Sequence, residues 1–186
     1  MVINSYPSLL KPTDIELFKF NDKTVEIPKA ILTFKQWNGT PIANTFGGKP
    51  LIDFDGKPMF AELAVMKLFK ISGWQARWIE TYGANLKTPF HFSDWIDGKL
   101  LEQSHDPIQD EDISKLLNDI ALLNGTNYFS GIWDVVGWFN GHCVFAESKR
   151  AKKDKLRNTQ YNWLSSCIRF GLKPDNFLVV QWDFIC

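Results

Sequence analysis

Apolar residues recur along this chain in two rhythms, and the switches between them mark out its elements. Met59, Leu63, Met66 and Phe69 stand three or four residues apart, the spacing of one helix face. They predict a helix from about Pro58 to Ser72, with proline in the first turn and Gly73 as the C-terminal cap. Glu62 lies within the apolar stripe. A strand follows from Trp74 to Tyr82, then a looser stretch, then a second helix from about Asp112 to Leu123, stopped by Asn124-Gly125. Ile132 to Phe139 is continuously apolar and aromatic, as a buried strand is. Asn140-Gly141 is a two-residue hairpin signal, which makes His142 to Lys149 the return strand. A basic loop leads to a third helix from about Arg157 to Phe170, ended by Gly171 with Pro174 beyond. A last apolar strand runs from Phe177 to Trp182.

Residues 1 to 56 read differently. They are rich in turn formers and carry short β-like runs such as Ala30 to Phe34, punctuated by Gly47-Gly48 and Asp55-Gly56. We read them as a β-rich N-terminal extension packed on a main domain of residues 57 to 186. The fold class is α/β, a mixed central sheet flanked by helices. At 186 residues the chain is long enough for one well-buried core.

Composition changes this picture little. Hydrophobic residues make up 45% and charged residues 23%, ordinary globular values. Eight Trp and fifteen Phe are many; large rings belong first to a core, and only secondarily to base stacking. The net charge is zero, so an anionic partner would have to meet a local basic patch. Cys143, Cys167 and Cys186 have no metal-ligand spacing and form no even set, which points to reduced thiols and a cytoplasmic protein. There is no signal-like leader and no apolar run of membrane-spanning length, so no membrane role is expected and the Asn38 and Asn124 sequons are idle. His91, His105 and His142 are scattered, with no pair at ligand spacing, and His142 is expected to face solvent at the hairpin tip. Arg77 and Glu80 on the early strand could touch substrate but read first as a surface ion pair, and Asp53 and Asp55 as turn residues.

The candidate chemistry lies on the hairpin. A two-residue turn makes Phe139 face His142, and counting outward sets Asp134 opposite Glu147. Like charges placed there destabilise a sheet unless they are solvated or used. A divalent cation between them would turn repulsion into coordination. Alternation puts Lys149 on the face of Glu147, where an ammonium could orient or deprotonate a water or steady a charged transition state. A structural salt-bridge cluster is the plainer reading of the same three residues. On the third helix Gln160 is the polar member of a face with Leu156, Trp163, Leu164, Cys167 and Ile168, and it either caps local backbone or positions water or phosphate. Residues 149 to 157 hold six basic side chains against one Asp, a surface suited to phosphate contact.

These residues resemble the VRR-NUC branch of the PD-(D/E)XK nuclease superfamily. Gly131 and Asp134, then Glu147-Ser148-Lys149, then Asp154-Lys155-Leu156, then Gln160 with Trp163-Leu164 stand in that family's order, and Gly171 falls where its helix ends. Glu62 resembles the first-helix glutamate that many members place near the metal. The resemblance is specific from 125 to 171 and weaker before it. Trp133 replaces the proline of the name, Arg150 replaces a glycine, and the stretch from Tyr82 to Asn124 is longer than the compact pattern. The resemblance implies a restriction-endonuclease-like core in αβββαβ order. It implies Mg²⁺ or Mn²⁺ on Asp134, Glu147, the Ser148 backbone carbonyl and Glu62, with Lys149 and Gln160 assisting catalysis. It implies nuclease activity on DNA, often branched or flapped, with Arg150, Lys152, Lys153, Lys155 and Arg157 on the nucleic acid. A catalytically silent nucleic-acid-binding module on the same fold is the alternative. A homodimer is compatible with the sequence but not derivable from it.

Overall fold

A computed structural model describes residues 5–20, 23–43 and 45–185; Cys186 lies outside them. Strands β1 (Asp14–Phe20) and β2 (Lys23–Gln36) come first, followed by the short strands β3 (Ile52–Phe54) and β4 (Lys57–Met59) and helix α1 (Ala61–Ile71). Then come β5 (Gln75–Asn85), β6 (Thr88–Phe92), α2 (Glu111–Leu123), β7 (Val135–Phe139), β8 (His142–Arg150), α3 (Asn158–Phe170) and β9 (Phe177–Phe184). The strands form one mixed sheet in the order β4-β3-β2-β9-β8-β7-β5-β6, with β1 paired to β2. The architecture is α/β, as the pattern predicts. No helix among the described residues is long and apolar enough to cross a membrane.

β9 lies between β2 and β8 and runs parallel to both. A strand covered on both faces should be apolar throughout, and Phe177 to Val180 are all buried. Parallel neighbours need a crossover, and α3 supplies it between β8 and β9. This crossover brings the basic segment and the start of α3 to the C-terminal end of β8.

The two faces of the sheet bury separate cores. α1 packs on one, over Ala76, Val135, Val144, Ala146, Leu178 and Val180. α2 and α3 cover the other, with Trp163, Leu164 and Cys167 against Ile79, Val136, Phe145 and Val179. Successive residues of β8 alternate between them, Cys143 and Phe145 on one side, Val144 and Ala146 on the other. Trp74, Trp78, Trp133, Trp138, Trp163 and Trp182 are all buried, so most of the indole surface is core. Burial pushes the Cys143 thiol up to about 12 and raises Cys167 as well, so both are inert, uncharged packing groups.

Three expectations need correction. Pro58 sits in β4 opposite Asp53, not in the first turn of α1. The reason is the Asp55-Gly56 turn, whose positive φ values (52° and 76°) close a tight hairpin and hold the chain extended through Met59. β6 was not expected; it folds back on a longer β5 through an irregular register. Finally, residues 1 to 56 are not simply packed on the domain: β2 pairs with β9 from Lys29↔Val179 to Phe34↔Phe184, inside the same sheet.

Small residues let α1 approach. A Cβ added to Gly137 in β7 would lie 2.2 Å from the Phe69 ring. Replacing a strand glycine by alanine normally gains about 0.5–1 kcal/mol. Here overpacking wins: we predict that Gly137→Ala lowers stability by about 1–3 kcal/mol in urea melts, and that adding Phe69→Leu recovers part of the loss. Equal or higher stability of Gly137→Ala would show that α1 is not seated against β7 this closely.

Candidate active site

The β7–β8 hairpin turns at Asn140-Gly141, with φ values of 48° and 77°, and pairs Phe139↔His142 through Val135↔Ala146. The next pair outward would be Asp134 and Glu147, and there the ladder stops. Side chains take over from the backbone. The Ser148 amide donates to Asp134 Oδ2 at 2.9 Å, and the Asp134 amide donates to Glu147 Oε2 at 3.3 Å. The Asp134 carbonyl remains tied to the Ile79 amide of β5 at 2.7 Å. Both carboxylates are thus fixed at the point where the sheet opens.

Glu147 is almost fully buried, 1% exposed, and an isolated charge there would be costly. Lys149, on the same face of β8, sets its ammonium 2.8 Å from Glu147 Oε1. Gln160 Nε2 donates to that same oxygen. The Gln160 carbonyl oxygen accepts from Lys149 Nζ at 3.3 Å and from the Arg157 amide at 2.9 Å. Gln160 therefore caps the first turn of α3, the plainer of the two readings, and also ties that turn to the two charged residues. Gly131 makes this docking possible. With φ at 84°, its missing Cβ would lie 2.0 Å from the Thr159 carbonyl oxygen.

These groups form part of the floor of a cleft of about 1670 Å³. Glu62, in the first turn of α1, and Glu80, on β5, also line it. One wall is Ala43, Phe46, Gly47, Lys49 and Pro50, together with the turn from Gly98 to Glu102. The other wall is Lys153, Asp154, Lys155 and Arg157 with the start of α3. Tyr82, 75% exposed, stands at the rim.

The electrostatics of the floor follow from burial and repulsion. Desolvation holds the Asp134 carboxyl well above the usual range, and Glu147 and Glu62 push it further up, while Lys49 and Lys149 pull it down. Desolvation also raises Glu147, against the lowering effect of Lys149 and Gln160. Glu80 is raised by burial. For Lys49, burial disfavours the charge, but Glu62, Asp134 and Glu80 together outweigh it and leave the ammonium more firmly charged than usual.

The structure therefore brings Asp134, Glu147, Lys149 and Gln160 into direct contact. Glu62 shares their cleft but gives its carboxylate to Lys49 at 2.7 Å. Among the described residues no three His, Cys, Asp or Glu side chains are gathered tightly enough to form a ready ion cage. Ser148 donates its amide toward Asp134, and a residue's N–H and C=O leave a strand on the same edge, so its carbonyl faces the opened ladder too. Lys153, Lys155 and Arg157 line the cleft, while Lys152, at φ 59°, does not. Arg150 lines it but is partly committed to Asp183 at 3.3 Å and to the Phe184 ring.

Other expectations change. Arg77 pairs with Asp106 at 3.0 Å, not with Glu80, because residues three apart on a strand point to opposite faces of the sheet. His91 and His105, remote in sequence, meet at 5.4 Å between ring centroids. Each Nδ1 accepts a backbone amide, and burial drives His91 down to about 4, so His91 is a neutral structural group there. His142 is half-buried against Trp74 rather than solvent-facing. Lys49 is the site group that the sequence reading missed, and Glu80, which it set aside in favour of a surface ion pair, lines the cleft. The Gly47-Gly48 turn signal was visible, but nothing local says that the loop folds over α1.

Asp134 carries a testable sign. Its folded carboxyl titrates above the unfolded range near pH ~4, so over that interval the native state retains a proton that the unfolded chain has released. Stability from this group is therefore present below pH ~4 and is lost as pH rises through the folded value. Asn keeps an acceptor for the Ser148 amide but carries no charge. In EDTA at neutral pH, Asp134→Asn should melt higher than wild type by about 1 kcal/mol, and the difference should vanish toward pH ~4. A variant that melts lower at neutral pH would mean that Asp134 serves as a structural ion-pair partner.

No family model matches the chain, and neither a curated protein nor a solved structure matches it, so the chemistry of the cleft has to be read from its own side chains.

Proposed function

We propose that this protein is a divalent-metal-dependent nuclease of the PD-(D/E)XK type that hydrolyses phosphodiester bonds in DNA, with branched or flapped DNA as the first substrates to test. One observation carries the reading: Asp134, Glu147, Lys149 and Gln160 converge where the β7–β8 ladder opens, on the floor of a cleft with a basic wall. The succession of α1, β5, the β7–β8 hairpin, α3 and β9 is compatible with a restriction-endonuclease-like core.

The donor set fits a hard cation. Burial, with Glu147 and Glu62 alongside, raises the Asp134 carboxyl, and oxygen donors of this kind suit Mg²⁺ or Mn²⁺. Asp134, Glu147 and the Ser148 carbonyl would hold the ion, with Glu62 completing the set. Bound there, it would polarise a phosphate and lower the pKa of a water.

The remaining work falls to the chain itself. Hydrolysis adds a water oxygen to phosphorus and breaks one P–O ester bond. Lys149 supplies an ammonium beside the negative charge that builds on phosphorus. Gln160 keeps that ammonium aimed by holding Nζ and Glu147 Oε1 at once. Lys153, Lys155 and Arg157 bind backbone phosphates and so set the register of the nucleic acid without reading its sequence.

A binding-only module is the second reading. The observation in its favour is that Glu147 Oε1 is already taken by Lys149 and Gln160, leaving a closed network. Incubation with branched and linear DNA in Mg²⁺, Mn²⁺ or EDTA separates the two. Cleavage in metal alone supports the nuclease; binding without cleavage under every condition supports the module.

Two further outcomes are expected. Lys149→Ala should lose about 10²–10³-fold in turnover while Mn²⁺ still raises its melting temperature. Wild-type rates in that variant would remove Lys149 from the chemistry. Lys153→Ala with Lys155→Ala should weaken binding to all sequences alike. It should also flatten the log–log salt dependence by about 0.9 for each lost contact on duplex DNA. An unchanged slope would mean that this wall does not meet the backbone.

A further inference from the structure

Lys49 reaches the carboxylate floor from outside every motif in the sequence. Its ammonium is 2.7 Å from Glu62 Oε1 and 4.0 Å from Glu80 Oε2, and its charge acts on Asp134 as well. The contact is built, not incidental. Phe46, Gly47 and Gly48 all have positive φ (50°, 80° and 82°), which turns the loop sharply back toward the sheet. The Gly48 amide donates to Thr45 Oγ1 at 3.2 Å, and the Lys49 amide donates to the Thr45 carbonyl at 3.0 Å, closing that turn. Phe46 anchors it, packing edge-on to Trp78, Tyr82 and Trp95. The Lys49 ammonium itself lies over the Phe46 and Trp78 rings, 4.9 and 5.4 Å from their centroids. The floor thus has a lysine at each end: Lys149 on Glu147, and Lys49 on Glu62.

We propose that Lys49 is a tethered counter-ion: in the metal-free protein its ammonium neutralises the Glu62 side of the floor, and it competes with a divalent cation for Glu62. This rests on the metal reading of the cleft given above. Glu62 cannot serve two cations fully at once, so the ion pair with Lys49 opposes binding of a second cation. Lys49 would then raise the free metal concentration at which the site fills, and it would keep the empty floor from repelling itself. A purely structural lysine would do only the second of these.

Thermal melts in EDTA and across a Mn²⁺ titration, at fixed pH and ionic strength, test this. In EDTA, Lys49→Met should melt below wild type. Its Mn²⁺ concentration for half-maximal stabilisation should fall by about fivefold, the scale of a partly exposed ion pair. Lys49→Gln, which keeps a donor for Glu62 without the charge, should show the same fall and serves if Lys49→Met does not fold. In a Glu62→Gln background, removing Lys49 should move the midpoint by clearly less than it does with Glu62 present, because only its weaker action on Asp134 is left. If wild type responds to Mn²⁺ and both Lys49 variants share its midpoint or exceed it, the counter-ion proposal is overturned and the metal site stands. If Mn²⁺ stabilises none of the proteins, the metal reading falls, and this proposal with it.

Discussion

The β7–β8 ladder ends one pair too early, and the cleft is organised around that ending. A backbone amide left at the end of a ladder must find an acceptor. At Asp134 and Ser148 the acceptors are carboxylates, so two negative charges are drawn to a place that a sheet would otherwise keep neutral. Once Glu147 is buried there, it needs a cation and further donors, and Lys149 and Gln160 answer that need. The requirement reaches further. Gln160 can serve only if the first turn of α3 comes close, and it comes close only because Gly131 offers no Cβ. One local shortage of hydrogen-bond partners thus fixes the placement of a helix, a glycine and a lysine.

What could be read from the sequence follows from how local each determinant is. The register of Phe139 against His142 was legible because Asn140-Gly141 tolerates positive φ at both positions and allows few other turns. From that register the adjacency of Asp134 and Glu147 is arithmetic. Gln160 was legible as a polar residue on an apolar helix face. Lys49 and its meeting with Glu80 were not, because they depend on a loop from one end of the sheet lying over a strand near the other. Arg77 was misassigned because its partner, Asp106, lies 29 residues away on a segment with no regular pattern. Pro58 was misread because both a helix start and an edge strand accept proline, and only the hairpin with β3 decides between them.

The zero net charge acquires meaning once the charges are placed. Acidic groups gather on the cleft floor, and basic groups line the wall formed by residues 153 to 157. Opposite fields a few side chains apart cancel in a sum but not at a surface. A polyanion approaching this face would meet the basic wall before the acidic floor.

The parallel pairing of β2 with β9 has a consequence for how the molecule comes into being. Lys29 lies beside Val179, 150 residues away along the chain, and β9 supports β8 on its other edge. During synthesis the early strands must therefore wait, unpaired on that edge, until the last strand has left the ribosome. The helices and the four hairpins β1–β2, β3–β4, β5–β6 and β7–β8 can form as they emerge, but the sheet that joins them closes last. Topology of this kind carries a high loop-closure cost before its contacts are rewarded, so folding should be slow and cooperative, with the cleft among the final parts to be assembled.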